Sequence, residues 1–415
     1  MTLMKYENIA ANRVTRTSYA ILWYILLIGM LLLVGCVQDT SQAEAKMQDV
    51  EKFPLQESSE PSEDVSKQHW NRIFTKAFEP VDCLEPRDPQ SLPDSYYKGP
   101  MFDTHIHLLG LPGGEPGHPN DYYTGENLGI KHSMEEWKCM MNSESTPKAL
   151  AFFPVAEPII PESVDAVKKI IETYPDRFVL FINPPASDGS GLSTISAQEL
   201  KSILDTYPGI FRGYGEIALY NHDDVEGLSP DSQRLTEIYP VVREHNLVVY
   251  FHMGSGQKEA LKRVARANRN ITFIFHGGNL YNVSPTQAGI SHDEKILVDI
   301  EEILYSNPNV YYGIDELYGG DWLLEPGRTK QAFLDNFRNY GPLFEKDLSL
   351  WKGFIERHPN QVLWGTDRGG SALWDKDPDV AITLNNYTRA FIGKLDPKVQ
   401  ERFAYKNAER IFEDE

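Results

Sequence analysis

The chain of 415 residues is short of positive charge. It carries 40 Lys and Arg against 60 Asp and Glu, which gives a formal net charge of −20. A nucleic-acid-binding protein gains affinity from a basic face, so this balance argues against a nucleic-acid partner. No G-x-G-x-x-G or Walker-type loop follows any of the predicted strands, which weakens the case for a nucleotide-binding open sheet.

Cysteine is also scarce, with three residues at Cys36, Cys83 and Cys139. Cys83 and Cys139 flank the first predicted strand, and outside the cytoplasm they could form a disulfide. Two free thiols are the alternative.

The N-terminal segment has the pattern of an export signal. Basic residues precede an uncharged apolar run from Tyr19 to Gly35. The run ends in Leu33-Val34-Gly35-Cys36, which resembles a bacterial lipobox. That resemblance implies cleavage before Cys36, lipidation of Cys36 and membrane anchoring outside the cytoplasm. Val37 in place of an aspartate resembles lipoproteins sorted to the outer rather than the inner membrane. An uncleaved membrane anchor is the alternative, because the run approaches spanning length.

Composition divides the whole chain into three segments. Residues 1–36 are predicted to be the signal peptide. Residues 37–69 are rich in Gln, Glu, Ser and Asp and have few large apolar side chains, which predicts a disordered acidic tether. Residues 70–415 are predicted to form one catalytic domain.

From Met101 onward, short apolar runs alternate with amphipathic stretches. Eight runs are predicted strands: Met101–Leu108, Ala149–Val155, Phe178–Ile182, Gly213–Leu219, Leu247–His252, Ile271–His276, Val310–Ile314 and Val362–Thr366. Helical periodicity occupies the intervening Val164–Thr173, Ala197–Leu204, Leu235–Glu244 and Gln257–Asn268. Strand and helix alternating eight times predict an α/β fold, a (β/α)8 TIM barrel. An open doubly wound sheet is the alternative.

The first predicted strand carries Asp103-Thr104-His105-Ile106-His107. Side chains two residues apart on a strand point to the same face, so His105 and His107 can bind one metal ion. Other strands also end in a lone ionisable residue, and these are Glu216, His252, His276 and Asp367. In a barrel such residues converge on the carboxyl-terminal mouth, where catalytic groups lie. Buried ionisable groups cost free energy unless they are paired or bind metal.

These residues resemble the amidohydrolase superfamily, and within it the amidohydrolase-related branch that includes metal-dependent hydrolases and decarboxylases. The resemblance runs from Met101 to Phe412 and includes the C-terminal Asn407-Ala408. It implies that His105 and His107 bind the metal with His252, and that Asp367 holds the metal and takes a proton from bound water. It further implies that His276 binds a second metal or polarises the substrate. Asp103 is expected to accept a hydrogen bond from a ligand histidine and fix its tautomer.

Glu216 departs from one pattern of the superfamily. Many two-metal members carry a bridging lysine on the fourth strand, whereas a glutamate there resembles TatD-type deoxyribonucleases and some phosphotriesterase-like relatives. The single-metal branch needs no bridging group, and we expect one ion ahead of two. Nitrogen and carboxylate ligands suit Zn²⁺, with Mn²⁺ or Fe²⁺ as alternatives. If only one ion binds, Glu216 is a substrate contact or a structural carboxylate.

Three residues of the loops around the mouth are candidates for substrate binding: Arg368, Tyr318 and Trp374. Arg368 could bind a substrate carboxylate in a bidentate manner or form a structural ion pair. The aromatic residues could equally serve packing.

The expected activity is metal-dependent hydrolysis of an amide, ester or lactone bond in a small molecule. The alternatives are a non-oxidative decarboxylase, a two-metal phosphoesterase, and a metal-containing lipoprotein that binds without turnover. Relatives are often dimers, so an oligomer is possible, but no interface is readable.

Overall fold

The computed structural model describes residues 74–413, except for 76, 84, 87–91, 94, 109–132, 156–158, 185–191, 222–226, 278–293, 316, 318–328 and 369–376. All of them belong to one compact unit, Pro61–Glu415. The predicted signal peptide, residues 1–36, and the tether, residues 37–69, lie outside the described residues, so both remain predictions. Within the described ranges, no helix has the length and apolar character needed to cross a membrane.

Eight parallel strands form one sheet, and each strand pairs with the next in chain order. The strands are β1 (Phe102–His107), β2 (Lys148–Pro154), β3 (Phe178–Asn183), β4 (Gly213–Ala218), β5 (Val248–His252), β6 (Phe273–His276), β7 (Val310–Ile314) and β8 (Val362–Trp364). A bridge between Ile106 and Arg368 brings the last strand back to the first. The Thr104 hydroxyl also donates to the Trp364 carbonyl at 2.8 Å. The predicted TIM barrel is therefore confirmed.

Helices alternate with the strands. They are α1 (Met134–Ser143), α2 (Ile160–Thr173), α3 (Ala197–Thr206), α4 (Gln233–Glu244), α5 (Lys258–Ala267), α6 (Glu294–Ser306), α7 (Lys330–Phe337), α8 (Gly341–Asp347), α9 (Gly353–Arg357), α10 (Pro378–Ile392), α11 (Pro397–Glu401) and α12 (Asn407–Phe412). Short π-helical segments, Leu348–Lys352 and Arg402–Lys406, lead into α9 and α12. Side-chain oxygens cap several N-termini, as Ser133 does in a capping box with Glu136.

The strands are apolar on both faces because each lies between two packed layers. On β5, Val248 and Tyr250 join the cluster inside the barrel, and Val249 and Phe251 join the layer beneath the helices. Successive strand residues point to opposite faces, so continuous apolar runs are what a strand of a barrel core requires.

The C-terminal helix α12 packs across the amino-terminal end of the barrel. The Phe412 ring lies 6.1 Å from the Phe102 ring and 5.9 Å from the Phe181 ring. Arg212, immediately before β4, donates to the Phe412 carbonyl at 3.2 Å. Closure of this end leaves the carboxyl ends of the strands to form the mouth.

A disulfide joins Cys83, in the segment that precedes β1, to Cys139 of α1, with a Cα–Cα distance of 5.4 Å. The sequence left bridged and free thiols open, and the structure has the bridged form.

Candidate metal centre

Local irregularities in the pairing of β1 and β4 position the central site residues. The pairing of β1 with β2 skips between Asp103 and Ile106, and that of β4 with β5 skips between Tyr214 and Ile217. Such bulges re-aim side chains next to functional sites. They lie where β1 carries His105 and β4 carries Glu216.

Gly215 is required at the bulge before Glu216. Its φ of 140° is rarely adopted by residues with a side chain, and a Cβ there would lie 2.4 Å from the Tyr250 carbonyl oxygen. Only glycine allows β4 to approach β5 this closely.

Four of the predicted ligand atoms form a compact set: Nε2 of His105, Nε2 of His107, Oε2 of Glu216 and Oδ1 of Asp367. His105 Nε2 lies 3.2 Å from His107, 3.6 Å from Glu216 and 3.1 Å from Asp367. His107 Nε2 lies 3.3 Å from both carboxylate oxygens. A tetrahedral zinc with bonds of about 2.0–2.2 Å separates its ligands by about 3.3–3.6 Å. Three of the five distances fall in this range, and His105 Nε2 lies slightly closer to His107 and Asp367, so these atoms fit the ligands of one ion.

A second set uses the other oxygen of Glu216. Its Oε1 lies 2.9 Å from His252 Nδ1 and forms a short contact with His276 Nε2. The two oxygens of one carboxylate thus face two nitrogen-containing groups. The six residues predicted to bind metal therefore all meet at the mouth, distributed over two adjoining positions rather than one.

The cluster has strongly coupled charges. Burial would raise the pKa of Glu216, but the charges of His276 and His105 hold it well below its usual range. Burial would likewise raise the pKa of Asp367, and His105 and His107 lower it. Burial would lower the pKa of His276, and the charges of Asp315 and Glu216 raise it to about 10. The carboxylates thus favour positive charge among the imidazoles, which a divalent cation also supplies.

Asp367 has a left-handed backbone, with φ of 50°, three residues after the end of β8. Its side chain is 39% exposed, whereas that of His105 is fully buried. Of the first set, Asp367 is thus the residue most open to an incoming molecule.

Asp103 contacts His105 differently from the expectation. One of its oxygens accepts the His105 backbone N–H at 3.1 Å, and the other accepts the Thr366 hydroxyl at 2.6 Å. Its pKa is raised to about 7, mainly by burial, against the opposing charge of Arg368. Asp103 therefore ties β1 to the turn after β8, and among the described residues no histidine ring donates a hydrogen bond to it.

The carboxylate that contacts Nδ1 of His105 and of His276 is Asp315, which follows β7. Its Oδ2 lies 2.7 Å from His105 Nδ1 and 2.9 Å from His276 Nδ1. Sequence analysis placed Asp315 in the loop after the seventh strand and not among the metal-binding or catalytic residues, although it is the first ionisable residue after an apolar strand. The rule that singled out the other site residues therefore applies to it as well.

Arg368 is turned away from a substrate role. Its guanidinium donates to Glu144 Oε1 at 2.8 Å, and both residues are 2% exposed. The structural ion pair, the alternative left open by the sequence, is the arrangement present. Tyr318 and Trp374, the other substrate candidates, lie outside the described residues.

Comparison with known proteins agrees with this architecture. The Amidohydrolase family matches residues 168–413, more than half of the chain. His105 and His107 precede the matched range. No curated protein matches the chain.

The chain is also similar to solved structures of low sequence identity. An amidohydrolase from Burkholderia multivorans with bound zinc is 10% identical, with 75% of this chain and 99% of that chain covered and a TM-score of 0.47. A 2,6-dihydroxybenzoate decarboxylase from Rhizobium is 11% identical, with 76% and 99% covered and a TM-score of 0.40. Dihydroorotase from Saccharomyces cerevisiae is 13% identical, with 76% and 85% covered and a TM-score of 0.43.

The barrel, the cluster at its mouth and the family match lead to one conclusion: this chain belongs to the Amidohydrolase family.

Proposed function

We propose that this protein is a metal-dependent hydrolase that cleaves an amide, ester or lactone bond of a small molecule and uses two divalent cations bridged by Glu216. The observation that carries the proposal is the division of the Glu216 carboxylate. Oε2 lies 3.3 Å from His107 Nε2, while Oε1 lies 2.9 Å from His252 Nδ1. A carboxylate with one oxygen toward each group suits a bridging ligand.

Charge balance supports two cations over the single ion expected from the sequence. Glu216, Asp315 and Asp367 bring three negative charges to a largely buried site whose other members are imidazoles. Unpaired buried carboxylates are costly. Nitrogen and carboxylate ligands suit Zn²⁺, with Mn²⁺ and Fe²⁺ as alternatives.

The site residues have two functions in this proposal, binding of cations and transfer of a proton. His105, His107, Glu216 and Asp367 would hold the first cation, and Glu216, His252 and His276 would hold the second. Bound cations supply an activated water molecule and polarise the bond to be cleaved. Asp367, the more exposed carboxylate, accepts the proton released by the attacking water and returns it to the leaving group.

A phosphoester substrate is the second candidate, because a site with two cations also suits in-line displacement at phosphorus. Decarboxylation needs the cation but no attack by water. Release of CO₂ is therefore the product measurement that separates decarboxylation from both hydrolytic reactions.

We also propose that the protein is a lipoprotein of the bacterial cell envelope, anchored through lipidated Cys36 and held outside the cytoplasm. The Cys83–Cys139 disulfide supports this location, since such bonds persist in oxidising compartments. Radiolabelled palmitate should be incorporated by the wild-type chain and not by Cys36→Ser. Unlabelled wild-type protein would refute the anchor.

The test of the catalytic proposal is metal content per full-length chain, extracted in detergent and reloaded with zinc after chelation. We expect about two ions for the wild type and fewer for Glu216→Gln, with wild-type content in Glu237→Gln, a matched change on the exposed face of α4. A loaded wild type is then assayed with lactones, esters, N-acyl amides and phosphoesters, and CO₂ is measured in parallel. A chain that takes up no metal would refute the catalytic proposal.

A further inference from the structure

Asp315 contacts one histidine from each of the two ligand sets. Its Oδ2 lies 2.7 Å from Nδ1 of His105 and 2.9 Å from Nδ1 of His276. The side chains of Asp315, His105 and His276 are 2%, 0% and 2% exposed, respectively. Bulk water is therefore not a ready substitute for either hydrogen bond.

This geometry determines where each ring carries its proton. A carboxylate oxygen accepts from both rings only when each has an N–H at Nδ1. Each ring then presents the lone pair of Nε2. Nε2 of His105 faces His107 and Asp367, whereas Nε2 of His276 faces Oε1 of Glu216.

Two further observations set Asp315 apart from an ordinary buried carboxylate. Its other oxygen, Oδ1, is buried and has no hydrogen-bond partner among the described residues. An orphaned acceptor costs free energy, so stability alone does not account for the arrangement. The Tyr250 hydroxyl also lies near His105 Nδ1, but at 3.2 Å it is farther than Asp315.

We propose that Asp315 is a shared positioning residue, which holds one histidine of each metal-binding set in the Nδ1–H tautomer and so prepares both positions for cations at once. This inference rests on the proposed function, since it concerns the cations that function requires. Partners of this kind orient the ring and raise its basicity as a ligand.

The test is zinc affinity of the full-length chain in detergent, measured by competition with a chromophoric chelator. Asp315→Asn should weaken both binding steps, each by about 10–100-fold. Asp103→Asn is the matched control, because Asp103 is likewise a buried carboxylate and accepts a hydrogen bond from the backbone N–H of His105. His252→Gln should weaken one step far more than the other, because His252 belongs to one set.

A spectroscopic measurement does not depend on the Asp315→Asn variant folding, because it reads the tautomers in the wild type. In the zinc-loaded wild type labelled with ¹⁵N-histidine, two hydrogen-bonded Nδ1–H signals should be found, one lost in His105→Gln and the other in His276→Gln. Nε2–H at either residue would overturn the inference.

The affinity outcomes are equally decisive. Weakening of a single step in Asp315→Asn, or an equal effect of Asp103→Asn, would overturn the shared role. If the wild type binds zinc and Asp315→Asn binds it with unchanged affinity, this inference is overturned and the proposed function is not. A wild-type chain that takes up no zinc overturns the proposed function, and this inference with it.

Discussion

The guanidinium of Arg368 and the carboxylate of Glu144 form a buried ion pair, 2.8 Å apart, next to the residue proposed as the proton acceptor. The Arg368 carbonyl also accepts the His107 backbone N–H at 2.7 Å. Arg368 therefore supports the strand that carries the histidines, and its side chain anchors the turn after β8 to the end of α1.

Removal of this guanidinium should lower stability. Arg368→Met leaves Glu144 buried without its charged partner, and loss of one member of such a pair costs about 3–5 kcal/mol. Arg263→Met is the control, because its pair with Asp231 is largely exposed and worth at most about 1 kcal/mol. Urea unfolding followed by circular dichroism measures both. Unchanged stability with a raised KM would instead identify Arg368 as a substrate-binding residue.

Asp367→Asn should sharply lower turnover and preserve the fold. The amide retains the shape of the carboxylate but cannot accept the proton, and loss of general-base catalysis typically lowers kcat by about 10²–10⁴-fold. The measurement is kcat for whichever substrate the panel identifies, beside metal content. A variant with full function would favour the binding-lipoprotein alternative over the enzyme.

Gly215→Ala should disrupt the site. The added Cβ meets the Tyr250 carbonyl at 2.4 Å in a backbone conformation that alanine rarely adopts, so Glu216 must move. We expect lower metal content and a lower unfolding temperature. Gly341→Ala is the control, since a Cβ there meets nothing within 4 Å. Normal metal content in Gly215→Ala would show that the bulge is not what positions Glu216.

The metal-free protein should lose stability as pH rises above neutrality. The charges of Asp315 and Glu216 overcome burial and raise the pKa of His276 to about 10, above an unfolded value of about 6.5. A raised pKa stabilises the fold fully below about pH 6.5, and this contribution disappears as pH rises through about 10.

Zinc should reverse this trend, because the cation takes the place of the ring proton and binds more tightly as protons leave. Thermal unfolding at pH 6, 8 and 9.5, with chelator and with zinc, compares the two forms. Parallel profiles in the two conditions would contradict proton–metal competition at His276.

Reduction of the disulfide should destabilise the domain without emptying the site. Cys83 and Cys139 are 56 residues apart, and bridges that close such loops contribute typically about 2–4 kcal/mol. Cys83→Ser should unfold at lower denaturant concentration than wild type and keep its zinc. Equal midpoints for oxidised and reduced wild type would show that the bridge contributes nothing.

Much of the fold could be predicted from local pattern. Apolar runs such as Leu247–His252 are buried on both sides in the barrel, and each predicted strand has its counterpart in the structure. Alternation on β1 correctly placed His105 and His107 together, since a period of two residues is a property of the strand itself.

Contacts between residues on different strands could not be predicted from local sequence pattern. The contacts of Asp315 depend on β7 lying beside β6 and two strands from β1 in the closed barrel, which brings one carboxylate oxygen to His105 and His276. Likewise, the partner of Arg368 is Glu144, more than two hundred residues away in the chain.

The sequence by itself thus determined the kind of fold and the residue types at the mouth, because strand periodicity and side-chain chemistry are local. Only the tertiary structure decided that Glu216 faces two ligand groups and that Asp315 serves a histidine of each. Those relationships depend on bulges and on the closure of the barrel, which set distances between residues far apart in the chain.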